Sequence, residues 1–244
     1  MAVNRYIDKE VYKRTNFVRL PGPVKSLCLL CDATLDDIEV FLCRACAADL
    51  PVNRGPCPTC GLPDTFNQPC AYCIKRSVPF TGTMALYRYE YPVNRLIQLM
   101  KFHARLDIAR FMGKQMAVQS VFKGNLPECL IPVPLHARRL AGRGFNQALE
   151  VARSASESIG VPVLSGCIRR SIATRAQTEL PAKQRKRNMQ GAFEWVHSGA
   201  LKYHHVAIVD DVVTTGATVM ELAGLLRGSG ISQVDIWACA RAIL

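Results

Sequence analysis

The pattern of apolar positions predicts four helices downstream of residue 80, over residues 92–101, 106–120, 146–159 and 217–228. Short apolar runs typical of buried strands cover residues 129–134, 161–168, 192–196, 205–210 and 233–240. This alternation of strands and helices favours an α/β fold with a mostly parallel sheet and helices on both faces. Because ligands of such sheets bind at the carboxyl ends of the strands, we expect the functional residues there.

Upstream of residue 80 the chain is rich in turn residues and cysteine. This part holds eight of the 11 cysteines, in four C-x2-C pairs: Cys28/Cys31, Cys43/Cys46, Cys57/Cys60 and Cys70/Cys73. Each pair places two thiolates on one tight turn, and two such turns supply the four sulfurs of a tetrahedral zinc site. Since four Cys ligands leave no open coordination position, we expect two structural zinc ions in a segment too small to build its own core.

The spacing leaves the pairing and the chemistry of these cysteines open. Sequential pairing encloses stretches of 11 and 9 residues, short enough for zinc ribbons, but an interleaved pairing fits the spacing as well. Redox or iron–sulfur chemistry is the alternative to zinc. A disulfide scaffold is disfavoured in a chain that we expect in a reducing compartment.

Composition and charge narrow the class of protein. The chain has 244 residues, of which 49% are apolar and 20% charged, a balance that excludes wholesale disorder. We expect a cytoplasmic protein without membrane insertion, because no apolar run of about 18 residues and no secretory leader is visible. The net charge is +12, and residues 134–190 alone hold 11 basic and 3 acidic residues. This bias favours phosphate-bearing partners, with a solvated basic surface as the alternative.

The most informative segment is VAIVDDVVTTGATV, residues 206–219. It predicts a buried strand that ends in two adjacent acids, followed by a loop that opens a helix. Backbone N–H groups at a helix N-terminus, a glycine and threonine hydroxyls form a phosphate cradle, while the acids accept hydrogen bonds from vicinal hydroxyls. The spacing therefore suits a ribose 5-phosphate. The alternative is an ordinary strand–turn–helix with Asp as the N-cap.

A second block, IPVPLHARRLAGRGFNQALEVA, covers residues 131–152. Three arginines, Arg138, Arg139 and Arg143, follow a predicted strand at its carboxyl end. They suit a second anion such as a pyrophosphate. A solvated basic helix end is the alternative.

The first motif closely resembles the signature by which type I phosphoribosyltransferases bind 5-phosphoribosyl 1-pyrophosphate (PRPP). Together with the arginine block and the double zinc ribbon, it resembles the ComF/GntX family of ComFC-type competence proteins, over residues 21–244. The resemblance implies an α/β fold with a Rossmann-like parallel sheet of the type I phosphoribosyltransferase kind and a small N-terminal zinc-ribbon domain. The chain then divides into an N-terminal extension (1–20), a double zinc ribbon (21–80) and a phosphoribosyltransferase-like domain (81–244).

The resemblance also assigns residues to PRPP and to a Mg²⁺ ion that accompanies it. Asp210 and Asp211 would hold the ribose hydroxyls. The 5-phosphate would be held by Thr214, Thr215, Gly216, Ala217 and Thr218. The pyrophosphate would be held by His136, Arg138, Arg139 and Arg143. No residue is assigned as catalytic, because no base and no pocket for an acceptor can be identified.

Two further positions follow from the resemblance. Lys101 matches a family position at the site. The stretch 169–193 would form a mobile hood over PRPP that excludes water. Its candidate residues are Arg169, Arg170, Thr174, Gln177, Arg185 and Asn188. A solvated basic loop is the alternative for this stretch.

Two functions compete at this point. The first is a competence protein of DNA uptake and natural transformation that binds PRPP and single-stranded DNA, with competence-machinery proteins as further partners. Its DNA contacts would come from Arg138, Arg139, Arg143, Arg185, Lys186 and Arg187. The second is a phosphoribosyltransferase of nucleotide or nucleobase metabolism. A third interpretation is an adaptor whose transferase-like domain is inactive. The sequence therefore leaves open whether the protein is an enzyme.

Overall fold

The computed structural model describes residues 26–35, 41–171, 191–196 and 202–243, and the chain divides after Cys43 into two compact units. The proposed extension over residues 1–20 lies outside the described residues. In the first unit, strands β1 (Ser26–Leu27) and β2 (Thr34–Leu35) pair antiparallel. The turn between them carries Cys28 and Cys31. It is closed by the Asp32 N–H, which donates to the Cys28 carbonyl at 2.9 Å.

The larger unit alternates strands and helices along the chain. Its elements are α1 (Arg44–Ala48), α2 (Ala71–Ile74), β3 (Gly82–Arg88), α3 (Val93–Phe102), α4 (Leu106–Lys123), β4 (Cys129–Pro132), α5 (Ala137–Arg143), α6 (Gln147–Ile159), β5 (Ile168–Arg170), β6 (Phe193–Trp195), β7 (His205–Val213), α7 (Ala217–Gly228) and β8 (Gln233–Arg241). All four predicted helices are present, and no end differs from its predicted position by more than three residues. Strand β3 and the short helix α5 are additions that the apolar pattern did not predict.

Strands β3, β8, β7 and β4 form a four-stranded sheet in that order, and every pair is parallel. Helices flank this sheet, so the predicted α/β fold is confirmed. Strands β5 and β6 pair antiparallel in a separate two-stranded sheet. None of the helices described in the structure combines the length and apolar character needed to cross a bilayer.

The core lies on both faces of the sheet because successive strand residues point to opposite sides. Val206 and Ile208 share one apolar cluster with Leu222 and Leu226 of α7. The intervening Ala207 and its neighbours are fully buried as well. Burial on both faces explains why β7 reads as a continuous apolar run instead of an alternating one.

Helices α4 and α6 pack closely against each other at Gly113. A Cβ at Gly113 would lie 2.5 Å from the Val151 carbonyl and 2.6 Å from the Cβ of Ser154, so only glycine fits at this crossing. The Ser154 hydroxyl donates to the Arg110 carbonyl at 2.9 Å. At the other end of α6, Asn146 caps the helix and its side-chain amide donates to the Val133 carbonyl at 3.0 Å. These contacts place the start of α6 beside the carboxyl end of β4.

Candidate functional site

The eight cysteines between residues 28 and 73 form two groups in which the sulfurs lie within 4.8 Å of one another. The groups are sequential: Cys28, Cys31, Cys43 and Cys46 form one, and Cys57, Cys60, Cys70 and Cys73 form the other. The interleaved pairing left open by the spacing is therefore not the one adopted.

The sulfur geometry fits zinc. Cys31 and Cys43 lie 3.7 Å apart, and Cys60 and Cys70 lie 3.6 Å apart. A tetrahedral ion with Zn–S bonds of about 2.3 Å requires sulfurs about 3.8 Å apart. In each group the N–H of the third cysteine donates to the sulfur of the first at 3.4 Å, as expected for a thiolate acceptor. Each group can thus hold one zinc ion with no open coordination position.

Electrostatics favours thiolates at the first cysteine of each group. Burial by itself raises the pKa of Cys28, but N–H donors from Cys43, Leu30 and Cys31 outweigh it and bring that pKa to about 6. Burial also raises the pKa of Cys57, but backbone N–H donors again outweigh it and bring that pKa to about 7. These deprotonated sulfurs are the form that binds metal.

The segment predicted to bind a phosphate, Thr214–Gly216, lies between β7 and α7 and is called the phosphate loop below. Strand β7 continues through both acids to Val213 instead of ending at them. Gly216 precedes α7 with a φ of 76°, a left-handed conformation that favours glycine. The Thr215 hydroxyl accepts from the Ala217 N–H at 3.4 Å. Asp210, Thr214, Gly216 and the first residues of α7 line a small open pocket.

The two acids of β7 have different surroundings because adjacent strand residues point to opposite faces. Asp210 lines the pocket beside the loop. Partial burial and then the neighbouring Asp211 raise the pKa of Asp210 to about 7, although Lys101 and Arg170 oppose the shift. The Asp210 carboxylate also accepts the Asp211 N–H at 2.8 Å.

Asp211 is buried in a network of polar side chains. One carboxylate oxygen lies 2.9 Å from the Lys101 Nζ, and the other accepts from the Gln147 amide at 2.7 Å. Burial disfavours the charge on Lys101, but Asp211 and Asp210 outweigh it and raise the pKa of Lys101. Gln147 in turn accepts from Arg143 at 2.6 Å. The network links β7, α3, α5 and α6 behind the pocket.

Two arginines, Arg143 and Arg170, lie near the acid pair, and Arg139 lies near both of them. Burial lowers the pKa of Arg143, with Arg139 adding to the shift and Asp211 opposing it. Burial lowers the pKa of Arg170 to about 10, again with Arg139 adding to it and Asp210 opposing it. Arg143 is therefore an electrostatic neighbour of Asp211, Arg170 is one of Asp210, and Arg139 is a neighbour of both arginines. Their mutual repulsion is relieved by an anion of high charge.

The larger unit thus combines a loop of the predicted phosphate-binding type, a pocket-facing acid and two arginines near the acid pair. No protein-family model matches the chain. It is 33% identical to DNA utilization protein YhgH of Escherichia coli strain K12 over 226 residues, which cover 90% of this chain and 99% of that protein. It is 33% identical to competence protein F of Haemophilus influenzae over 223 residues, which cover 88% of this chain and 96% of that protein.

The chain belongs to the ComF/GntX family. Its match to competence protein ComFC of Bacillus subtilis is weaker, at 25% identity over 232 residues, which cover 86% of this chain and 92% of that protein.

The structure brings together most of the site residues that this family resemblance named. Lys101, Arg143 and Arg170 lie near the acids, and Arg139 lies near the two arginines. The segment Thr214–Thr218 forms the loop and the start of α7. Thr174, Gln177, Arg185, Lys186, Arg187 and Asn188 lie outside the described residues.

Three of the named residues lie elsewhere or serve another purpose. Arg138 is exposed on α5. Arg169 pairs with Glu194 at 3.0 Å on the exposed side of β5. His136 caps α5, since its Nδ1 accepts the Arg138 N–H at 3.2 Å.

Gln147 and Phe102 are site residues that sequence reasoning missed. Phe102 is 70% exposed, and Arg143 stacks over its ring at 5.3 Å. Gln147 lies in the arginine block of residues 131–152 but was assigned no role, and Phe102 belongs to no motif. Both reach the site because α3 ends and α6 begins near Asp211. The sequence feature that could have indicated Gln147 as a site residue is an amide side chain on the first turn of a helix, close to the arginines.

Proposed function

We propose that this protein acts in DNA uptake and natural transformation in the cytoplasm, as a PRPP-binding protein that also binds single-stranded DNA. The observation that carries the proposal is the arrangement around Asp210: one acid and a phosphate loop line the same pocket, with a cluster of arginines beside the acid pair. The names of the family members, which refer to competence and DNA utilization, give the biological context. Cysteine groups suited to metal fit a reducing compartment.

PRPP presents three features to this site. Its 5-phosphate would bind the N–H groups and hydroxyls of the loop, where the start of α7 adds a partial positive charge. Its ribose hydroxyls would donate to Asp210. Its pyrophosphate, partly neutralised by Mg²⁺, would bind the arginine cluster of Arg139, Arg143 and Arg170. In this assignment Asp211 acts indirectly, because Lys101 and Gln147 already occupy both of its oxygens.

Single-stranded DNA would contact the basic surface that continues from the site. Arg138 is exposed on α5, one residue from Arg139 in the cluster. The region 134–190 carries a net charge of +8, which suits a phosphate backbone. The other DNA-contact candidates, Arg185, Lys186 and Arg187, belong to the same basic stretch of the sequence and lie outside the described residues. We include competence-machinery proteins among the partners on the strength of the family names.

A phosphoribosyltransferase of nucleotide or nucleobase metabolism is the second candidate. The complete PRPP-type loop favours it, because many enzymes with this loop transfer the phosphoribosyl group to a base. The two functions differ in DNA binding: a metabolic transferase has no need for single-strand affinity at physiological salt. Release of pyrophosphate from Mg-PRPP in the presence of nucleobases tests turnover directly.

Calorimetry with Mg-PRPP, repeated with single-stranded DNA present, tests the main proposal. We expect binding of PRPP, loss of affinity in Asp210→Asn, and a change of PRPP affinity when DNA is bound. Asp235→Asn is the matched control, since Asp235 lies on the neighbouring strand and pairs with His205 at 2.8 Å, away from the loop. Wild-type protein that binds neither ligand would refute the proposal.

A further inference from the structure

A buried arginine joins the phosphate loop to the second cysteine group. Arg241 ends β8 and is 8% exposed. Its Nη1 donates to the carbonyls of Val213, at 3.2 Å, and of Thr214. Its Nε donates to the carbonyl of Cys60 at 3.0 Å. One planar guanidinium therefore contacts both the loop and a cysteine of the metal group.

The cysteine turn at this contact is held along its whole length. Its four consecutive carbonyls, of Pro58, Thr59, Cys60 and Gly61, each accept a hydrogen bond. The Thr83 N–H and hydroxyl bond the first two at 3.2 and 2.7 Å, Arg241 bonds the third, and the Asn53 amide bonds the fourth at 2.9 Å. A Cβ at Gly61 would lie 2.8 Å from the Thr83 Cγ2, so the turn lies directly against β3.

Because the peptide bond is planar, a contact that holds a carbonyl also fixes the direction of the next residue's N–H group. The Val213 carbonyl shares its plane with the Thr214 N–H, and the Thr214 carbonyl with the Thr215 N–H. By holding the two carbonyls, Arg241 orients the N–H groups of Thr214 and Thr215 so that they point away from its guanidinium. On the other side, the Cys60 carbonyl shares its plane with the Gly61 N–H, which donates to the Cys57 carbonyl at 2.9 Å.

We infer that Arg241 couples metal binding at the second cysteine group to the conformation of the phosphate loop. Zinc held by Cys57 and Cys60 fixes the turn between them, the Cys60 carbonyl then fixes the guanidinium plane, and the guanidinium fixes the loop carbonyls. Arg241 is a positioning residue, since it reaches the ligand only through the loop. That the oriented N–H groups receive the 5-phosphate of PRPP rests on the proposed function.

Coupling between two binding sites is reciprocal. A metal ion at the second cysteine group is expected to favour phosphate binding at the loop. A phosphate ligand at the loop is expected to slow the loss of that metal by the same linkage. The first cysteine group has no such contact with Arg241 among the described residues, so only one of the two zinc ions should respond.

Arg241→Lys tests the coupling because it keeps the charge but replaces a planar fork by one ammonium, which cannot hold the loop and the turn together. Arg227→Lys is the matched control. Arg227 also donates to backbone carbonyls, of Ile231 and Ser232, but at the far end of α7. Both variants are compared with wild type, and all three proteins start in the zinc-loaded state.

Hydrogen exchange of the loop amides is the first readout and requires no ligand. Arg241→Lys should exchange the amides of residues 214–216 about tenfold faster than wild type, with α4 and α6 protected as before, while Arg227→Lys should not. Release of zinc to a chelator is the second readout: one of the two ions should leave about tenfold faster in Arg241→Lys, a factor within the usual range for coupled sites. Unchanged loop exchange, or unchanged release of both ions, would overturn the inference.

Mg-PRPP separates this inference from the proposed function. In wild type it should slow the release of one zinc ion, and in Arg241→Lys it should slow that release much less. If PRPP does not bind wild-type protein, the proposed function fails while the two readouts without ligand still decide the coupling. If PRPP binds and slows zinc release equally in both proteins, Arg241 is not the link.

Discussion

At the residue scale, two adjacent acids of one motif have different roles. Asp210 faces the pocket, whereas Asp211 is bonded to Lys101 and Gln147. Asp211→Asn should therefore lower the free energy of unfolding by about 3 kcal/mol, because it leaves the Lys101 ammonium without its carboxylate. Urea denaturation measures this loss. A variant as stable as wild type would show that Asp211 contributes no net stability.

Asp210→Asn should instead affect the ligand more than the fold. Hydrogen bonds to a charged group contribute about 1.5–3 kcal/mol, which corresponds to a tenfold to hundredfold loss of PRPP affinity. Stability should hold or rise, because the substitution removes a charge that burial and Asp211 disfavour. Calorimetry and denaturation of the same sample measure both effects. Normal PRPP affinity in this variant would remove Asp210 from the site.

The raised pKa of Asp210 predicts a pH dependence of stability. The folded-state pKa is about 7 against an ordinary value of 3.8, so between these values the folded protein holds a proton that the unfolded chain has lost. The free energy of unfolding contributed by this group therefore falls as pH rises from about 4 to 7. Thermal denaturation should show that the stability of Asp210→Asn relative to wild type rises as pH increases across this range. Above pH 7 the difference between the two proteins should stay constant. Comparison at equal pH cancels effects common to both proteins, such as protonation of the cysteines.

At the element scale, the junction of β7, loop and α7 depends on one glycine. Gly216 has a φ of 76°, and an added Cβ would meet only the Val219 Cγ2, at 3.9 Å. Gly216→Ala should therefore destabilise the fold through backbone strain, by about 1–2 kcal/mol, and not through crowding. It should also weaken PRPP and ribose 5-phosphate alike, since both would present a 5-phosphate to the loop.

Gly142→Ala provides the control for this substitution. Gly142 lies within α5 with open space around its Cβ position, so alanine there should stabilise the helix by up to about 1 kcal/mol. Thermal denaturation and ligand titration of both variants give the comparison. Equal behaviour of the two variants would mean that the left-handed conformation at Gly216 carries no strain and no function.

At the scale of the whole molecule, the first prediction concerns the metal content of the purified protein. The purified protein should carry two zinc ions per chain, one in each cysteine group. Cys28→Ser and Cys57→Ser should each lose one ion, and only the second substitution should alter the loop, because Cys60 and Arg241 belong to that side. Elemental analysis settles the metal. Iron in place of zinc would restore the iron–sulfur alternative.

The charge distribution predicts the salt dependence of DNA binding. If Arg138 contacts a phosphate, Arg138→Ala should lower the slope of log affinity against log salt for single strands by about 0.7. Arg95→Ala, which removes the same charge from the exposed face of α3, should leave the slope unchanged. Fluorescence titrations at several salt concentrations measure it. Equal slopes for wild type and Arg138→Ala would place the DNA-binding face elsewhere.

Most of the fold and the loop of the candidate site could be predicted from local sequence. The apolar runs of β4, β7 and β8 and the periodicity of α3, α4 and α6 are properties of contiguous segments, as are the C-x2-C pairs. Strand β3 was missed because its Met-Ala-Leu run carries no strand-specific pattern, and it becomes a strand by pairing with β8. Helix α5 was missed because its arginines have no apolar period.

The sequence by itself determined the α/β class, the eight metal-binding cysteines and the strand–loop–helix that suits a phosphate, since each depends on residues a few positions apart. Only the tertiary structure decided which cysteines share a group, which of two adjacent acids faces the pocket, and that Gln147 bonds Asp211 from 64 positions away. It alone brought Arg241 to Cys60, 181 positions apart in the chain. The physical reason is that such contacts depend on how strands and helices stack, and no local pattern records which distant side chain will meet a given carbonyl or carboxylate.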